Sequence, residues 1–175
     1  ATARDDLREA ERRLRAFPGV AWELEVAVRY SLSAQMLLGE YRELAQRSDK
    51  LLRDALGRDD AYAESTMRPT VLYFAELLRD DPRAAWNHIA AARARWKNKG
   101  FHGQHYWIEC AKLEVLLYEG RFAEVQPHIE AEWVHLTLTQ MTPYHEFARI
   151  AMLHRLGRAK LVSALRATSG RRAAL

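Results

Sequence analysis

The sequence predicts an all-α protein made of stacked antiparallel helical hairpins, an α-solenoid with about eight to nine helices. One observation is a recurring turn, at Gly39-Glu40-Tyr41, Asp80-Asp81-Pro82, Gly120-Arg121-Phe122 and Gly157-Arg158-Ala159. Successive turns lie 41, 40 and 37 residues apart, a period typical of helical-hairpin repeats. A second observation is composition, because Ala, Leu, Arg and Glu dominate between the turns and favour helix. We predict one repeat domain over residues 1–169 and a frayed basic tail over residues 170–175.

The apolar pattern between these turns predicts the helices one after another. The acidic pair Asp80 and Asp81 precedes Pro82, which suits the first turn of a helix, where proline and negative charge are both favoured. Gly100 follows a basic run, as expected where cations and a glycine end a helix. The predicted helices span residues 5–16, 21–38, 41–56, 61–79, 82–98, 104–119, 122–136, 143–156 and 159 to about 167.

Alignment of the four turns places apolar residues in matching columns. Residues about four and seven apart on a helix return to one face. The columns taken together therefore predict one buried stripe on each helix. The two columns five residues before and five residues after the turn are Ala34, Ala75, Val115 and Met152, and Leu44, Ala85, Val125 and Val162.

A Gly-x-aromatic turn preceded by a small residue resembles the tetratricopeptide repeat. The turns at Gly39 and Gly120 match that pattern, as do the small residues Ala34 and Ala75. The chain departs from it in its longer repeats, which exceed about 34 residues, and in lacking the glycine expected seven residues before each turn. The resemblance covers residues 20–165 and implies a concave groove lined by the first helix of each hairpin. The implied groove residues, with one histidine from the adjacent aromatic cluster, are Val26, Arg29, Met67, Thr70, His105, Trp107 and Tyr144.

A narrower resemblance concerns the segment from Gly100 to Trp107, together with Trp22-Glu23-Leu24 and the stretch from Leu116 to Gly120. These residues look like the helical repeat region toward the C-terminus of large bacterial serine/threonine protein kinases. The resemblance implies a regulatory or interaction region that contacts a partner or its own kinase domain. The chain has no Gly-rich nucleotide loop, His-Arg-Asp or Asp-Phe-Gly sequence, so we predict no kinase chemistry within it.

Histidines and the single cysteine offer few patterns for chemistry. His102 and His105 are three residues apart, a spacing that could hold a metal ion with Glu109. Alternatively His102 caps a helix while His105 hydrogen-bonds a neighbouring helix, or the cluster beside Trp107 lines the entrance to the groove. Cys110 lies within an apolar helical stretch, where a buried and inert thiol is expected. We favour no metal, no cofactor and no catalytic residue.

The charge distribution argues against nucleic acid as a partner. The formal net charge is +4, but seven basic and no acidic residues follow Glu146, which leaves 20 basic and 23 acidic residues within residues 1–146. Polyanion binding would therefore rest on the tail alone. Apolar runs are far shorter than the roughly 20 residues of a membrane span. A lone cysteine and the absence of a signal sequence predict a cytoplasmic protein, and the start at Ala1 suggests a piece of a longer one.

Together these patterns favour a non-catalytic module for protein–protein interaction within a bacterial signalling kinase. The implied groove is mostly apolar and aromatic, so an apolar or aromatic-bearing protein segment is the expected partner. The alternative hypothesis is an effector-sensing domain of a regulator, in which a small molecule enters the superhelix and changes how the repeats pack.

Overall fold

The computed structural model describes residues 3–138 and 146–173 of the chain, and the side chains of residues 3–131 and 149–165. The described residues form helices and turns without a strand, which confirms the all-α prediction. Helices α4 and α5 are joined without a break by a π-helical turn, so the described part contains eight helical rods. The elements are α1 (Ala3–Leu14), α2 (Ala21–Leu37), α3 (Tyr41–Gly57), α4 (Ala61–Met67), the π turn (Arg68–Leu72), α5 (Tyr73–Leu78), α6 (Pro82–Arg95), α7 (Gly103–Tyr118), α8 (Phe122–Leu138) and α9 (Glu146–Ala173).

The helices group into two compact units, Ala1–Lys97 and Asn98–Leu175. In the first unit, α2, α3 and the π turn share a core of Val28, Leu32, Leu44 and Val71. In the second unit, α7 is buried along most of its length and packs against α8 and α9, which also contact each other. The prediction that all hairpins stack into one solenoid domain over residues 1–169 stays a prediction.

Residues with left-handed backbone recur about every 20 positions up to residue 120. They are Gly19, Gly39, Asp59, Asp80, Gly100 and Gly120, separated by 20, 20, 21, 20 and 20 residues. At four of these sites the next N–H group donates to the carbonyl five residues before it, which is the bond that defines a Schellman helix end. The four bonds are Glu40 N to Gln35 O (3.0 Å), Asp60 N to Ala55 O (2.9 Å), Asp81 N to Glu76 O (3.0 Å) and Arg121 N to Leu116 O (2.9 Å).

The turn predicted at Gly157-Arg158-Ala159 is wrong, because α9 runs through it without interruption. Gly157 is not among the glycines with positive φ, and helix formers such as Leu156, Ala159 and Leu161 surround it. A glycine inside a helix costs about 1 kcal/mol relative to alanine, which such neighbours and tertiary packing offset. The two helices predicted at 143–156 and 159–167 therefore form one helix in their described part. Residues 170–173 of the predicted frayed tail are helical as well.

The long helix of the second hairpin contains the π turn where the sequence predicts uninterrupted helix. Pro69 lies inside this turn and is buried. Since proline has no N–H group and its ring crowds the preceding turn, it disrupts regular α-helical bonding. The wider π geometry accommodates that disruption without ending the helix. The Thr70 hydroxyl donates to the Thr66 carbonyl oxygen at 2.7 Å, which gives a carbonyl in this region an additional partner.

The aligned columns describe buried positions in the first three hairpins. Five residues after the turn, Leu44, Ala85 and Val125 are fully buried. Five residues before it, Ala75 and Val115 are fully buried, whereas Ala34 keeps some exposure. In α9 Met152 is buried, but Val162 is only half-buried. The sequence periodicity thus identifies the core faces best where the turns recur regularly.

Candidate binding surface

Four of the predicted groove residues belong to the first unit, and they differ in exposure. Val26 and Arg29 lie one turn apart on α2 and are both half-buried. The Arg29 guanidinium carbon lies 4.4 Å from the centroid of the Tyr30 ring, a cation–π geometry. Thr70 is half-buried in the π turn. Met67 is 3% exposed and lies in a core cluster with residues of α3 and α4, so it contributes to packing.

Two predicted groove residues of the second unit, His105 and Trp107, lie in the first turns of α7. The His102 N–H group donates to Nδ1 of His105 at 3.0 Å, and the two rings stack with centroids 5.7 Å apart. His105 thus bonds back to the residue before its own helix. Trp107 is half-buried and meets the Tyr106 ring edge-on at 5.0 Å. Tyr144 lies outside the described residues.

The histidine pair serves as a helix cap, because its bond satisfies a backbone N–H group at the start of α7. Glu109, the third residue considered for a metal site, is engaged elsewhere. Its carboxylate accepts from His128 Nε2 at 2.7 Å and from Lys112 Nζ at 2.9 Å. Within residues 3–138 and 146–173, no group of three His, Cys, Asp or Glu side chains could hold a metal ion.

Two buried titratable groups of α7 are stabilised in unreactive forms. Burial raises the pKa of Glu109, but the hydrogen bonds and charges of His128 and Lys112 outweigh burial, and the net pKa is lowered. Cys110 is buried as the sequence predicts, and burial raises its pKa to about 11. A thiol with that pKa is protonated near neutral pH and is a poor nucleophile.

The first unit contains a buried ion cluster around Glu64. Its carboxylate accepts from Arg68 Nε at 2.9 Å and from Arg95 Nε at 3.0 Å. Arg68 also approaches Nδ1 of His88 at 3.0 Å, and burial and the Arg68 charge lower the pKa of His88. Every oxygen of Glu64 has a guanidinium partner from α6 or from its own helical rod. The cluster therefore ties α6 to α4, and both carboxylate oxygens of Glu64 take part in this structural contact.

The outer face of α9 presents a row of large apolar side chains that the sequence analysis missed. We name Ile150, Leu153, Gly157, Leu161 and Leu165 the outer stripe. Its four large side chains are 59%, 46%, 61% and 56% exposed, while Met152 and Ala159 on the opposite face are buried. The spacing i, i+3, i+7, i+11 and i+15 is the signal that could have identified it. The turn wrongly predicted at Gly157 divided this pattern between two helices.

Basic residues border the outer stripe. Helix α9 contains seven Arg or Lys residues and one acidic residue, Glu146, a formal charge of +6. Arg149, Arg158 and Lys160 are exposed beside the stripe. Glu114 of α7 accepts from Arg158 Nη1 at 2.8 Å and lies 3.1 Å from Arg155 Nε, so it offsets part of this charge. The remaining surface is apolar along its centre and positively charged along its edges.

A separate groove of about 420 Å³ lies between α8 and α9. Ile129 and Leu156 form its apolar part, and Gln126, Glu130 and Lys160 supply polar groups. Gln126 Nε2 donates to Glu130 Oε1 at 2.8 Å, which holds two of the polar side chains together. Its volume falls in the range of about 300 to 1,000 Å³ that small-molecule sites occupy.

Comparison with known proteins identifies no relative: no protein-family model, curated protein or solved structure matches this chain. None of the described helices combines the length and the hydropathy that a bilayer crossing requires. The functional argument therefore rests on the residues and contacts of the chain itself.

Proposed function

We propose that this chain is a non-catalytic helical module that binds a segment of another protein. The observation that supports this most directly is the outer stripe, four large apolar side chains exposed in line on one helix. Scattered apolar residues are ordinary on protein surfaces, but contiguous apolar patches rimmed by polar groups are typical of interaction sites. The half-buried Val26 and Arg29 of the first unit, and separately Trp107 of the second unit, are further contact positions that we propose.

The engagement of the buried titratable groups supports a non-catalytic role. Glu64 and Glu109 have cationic partners on both carboxylate oxygens, and the Cys110 thiol is protonated near neutral pH. Catalytic groups instead combine a perturbed pKa with access to a substrate. These side chains contribute to the packing of their helices, and binding falls to the exposed surfaces.

The wider context that we propose is a cytoplasmic bacterial serine/threonine kinase, in which this module recruits a partner or contacts the kinase domain. Support comes from the segment at Gly100 to Trp107 and its resemblance to the repeat regions of such kinases. The mass of the native polypeptide tests this context. A polypeptide several times larger than 20.2 kDa that autophosphorylates on serine or threonine agrees with it, and a free chain without phosphotransfer contradicts it.

Selection from a random peptide display library on the immobilised full chain tests the binding function itself. We expect enriched peptides that bind the soluble chain saturably, measured by isothermal titration calorimetry. Binding should also raise the unfolding temperature, because a ligand that binds only the folded state stabilises it by mass action. Failure to enrich any saturable binder, in repeated selections with a control scaffold that succeeds, contradicts the function.

The groove between α8 and α9 favours a second candidate function, the sensing of a small molecule. Its mixed lining of Ile129, Leu156, Glu130 and Lys160 could bind a compound with an apolar body and polar ends. A thermal-shift screen against metabolites separates the two functions. A sensor gains stability with a metabolite and loses that gain in Lys160→Ala, whereas an interaction module responds to peptides only.

A further inference from the structure

We propose that the outer stripe of α9 binds an acidic amphipathic helix of a partner protein, an inference that rests on the proposed function and names its surface and partner chemistry. Three features of the described residues point to this partner. They are the helical spacing of the stripe, the open notch at Gly157 and the positive charge along both edges of the stripe.

The spacing matches recognition of one helix by another. Between Ile150 and Leu165 the stripe extends over 15 residues, about 22 Å at 1.5 Å per residue. Its positions recur every three or four residues and remain on one face of α9, which is the arrangement by which one helix packs side by side against another. A partner helix of four to five turns would cover the stripe from end to end.

Gly157 forms a notch at the centre of the stripe. Among the described residues, a Cβ atom built there meets no heavy atom within 4 Å, so their packing does not require glycine at this position. The helical backbone does not require it either, because Gly157 has no positive φ. Glycine therefore lowers the helix propensity of α9 and meets no packing need among the described residues. The missing side chain would let a bulky residue or the backbone of a partner approach α9 closely.

The positive charge of α9 favours a partner with negative charge. With a net charge of +6 on the helix, carboxylates on the partner find cations at Arg158 and Lys160, which lie on opposite edges of the stripe. Arg158 already contacts Glu114, but its exposed guanidinium has further donors for a second carboxylate. A second copy of this chain would bring the same basic edges together, which like-charge repulsion disfavours. An acidic helix satisfies both the apolar centre and the basic edges.

Two designed peptides test the inference directly. Both are about 18 residues long, with leucines at heptad spacing, and they differ only in flanking residues, Glu in one and Lys in the other. Fluorescence anisotropy with the full chain measures their dissociation constants. We expect saturable binding of the Glu peptide, at least about tenfold weaker binding of the Lys peptide, and weaker binding of the Glu peptide at higher salt.

Variants of the chain locate the binding surface. Leu161→Glu places a negative charge in the stripe and should weaken the Glu peptide at least about tenfold. Ser163→Glu is the matched control, because it adds the same residue to an exposed position of α9 that lies off the stripe and should have a much smaller effect. Gly157→Leu fills the notch and should also reduce binding. Circular dichroism confirms that each variant retains its helix content.

Several results would overturn the inference. These are equal binding of both peptides, no binding of the Glu peptide, and undiminished binding to Leu161→Glu. Self-association that Leu161→Glu abolishes would assign the stripe to a second copy, and binding to phosphatidylserine vesicles without peptide binding would assign it to a lipid surface. Display-selected peptides that bind wild type and Leu161→Glu equally would remove this inference and leave the proposed function standing. Absence of any peptide binder would remove both.

Discussion

Gly39 and Gly157 stand at equivalent positions of the sequence pattern, yet one ends a helix and the other continues one. At Gly39 the backbone has φ +76°, and α3 begins two residues later at Tyr41. At Gly157 the helix continues for another 16 residues, to Ala173. Crowding by the described residues requires neither glycine, because a Cβ atom at either one meets none of their heavy atoms within 4 Å.

The residue two positions after the glycine differs between the two sites. Tyr41 packs edge-on against Phe74 of α5, with ring centroids 5.6 Å apart, and so anchors the turn on a neighbouring helical rod. The methyl side chain of Ala159 is too short for such a ring contact, and it is buried on the inner face of α9. Glycine therefore permits the left-handed turn, and a tertiary contact after it selects that turn over continued helix. Three changes test this contrast between the regular turns and α9.

The largest effect is expected from shortening the aligned valines five residues after Gly120 and Gly157. Val125 is fully buried on α8, whereas Val162 on α9 is half-buried. Val125→Ala should lower the free energy of unfolding by about 2 kcal/mol, because it removes buried methyl groups and leaves a cavity. Val162→Ala should cost less than about 1 kcal/mol. If urea unfolding shows that both variants lose the same free energy of unfolding, Val162 is as buried as Val125 and α9 keeps the register of the earlier hairpins.

Exchanging each glycine for alanine should produce effects of opposite sign. Gly39→Ala forces a side chain into the left-handed region and should destabilise the chain by about 1 to 2 kcal/mol. Gly157→Ala should stabilise it by about 1 kcal/mol, because alanine favours the helix interior and open space receives its methyl group. The unfolding temperatures of the two variants, compared with that of the wild type, show whether each change stabilises or destabilises the chain. Destabilisation by Gly157→Ala would contradict an uninterrupted α9.

A smaller, pH-dependent effect is expected for the regular hairpin of α7 and α8, which Glu109 and His128 join. Although burial acts to raise it, the hydrogen bonds and charges of His128 and Lys112 hold the folded-state pKa of Glu109 below its ordinary value of 4.5. Its stabilising contribution should therefore be full above pH 4.5 and decline as the pH falls through the folded-state value. Glu109→Gln should be less stable than wild type at neutral pH and should lose less stability on acidification. Glu130→Gln, at an exposed position of α8, is the control.

Local sequence signals predicted much of the fold but only part of the candidate surface. The predicted first residues of five helices, at positions 21, 41, 61, 82 and 122, coincide with the observed ones. The acidic N-caps explain part of this success, since Asp60 and Asp81 accept backbone bonds from Ala63 and Ala84. The predicted groove mixes half-buried positions such as Val26 with the core residue Met67. Exposure was not predictable because it depends on residues distant in sequence.

The sequence by itself determined the helical class and the regular turns, because capping residues, glycines and apolar spacing act over a few positions along the chain. Only the tertiary structure decided the continuation of α9 through Gly157, the pairing of Glu109 with His128 and the exposure of the outer stripe. Each of these depends on which helices pack together, since a glycine, a carboxylate and a leucine are all compatible with several environments. Packing between helices selected one environment for each of them.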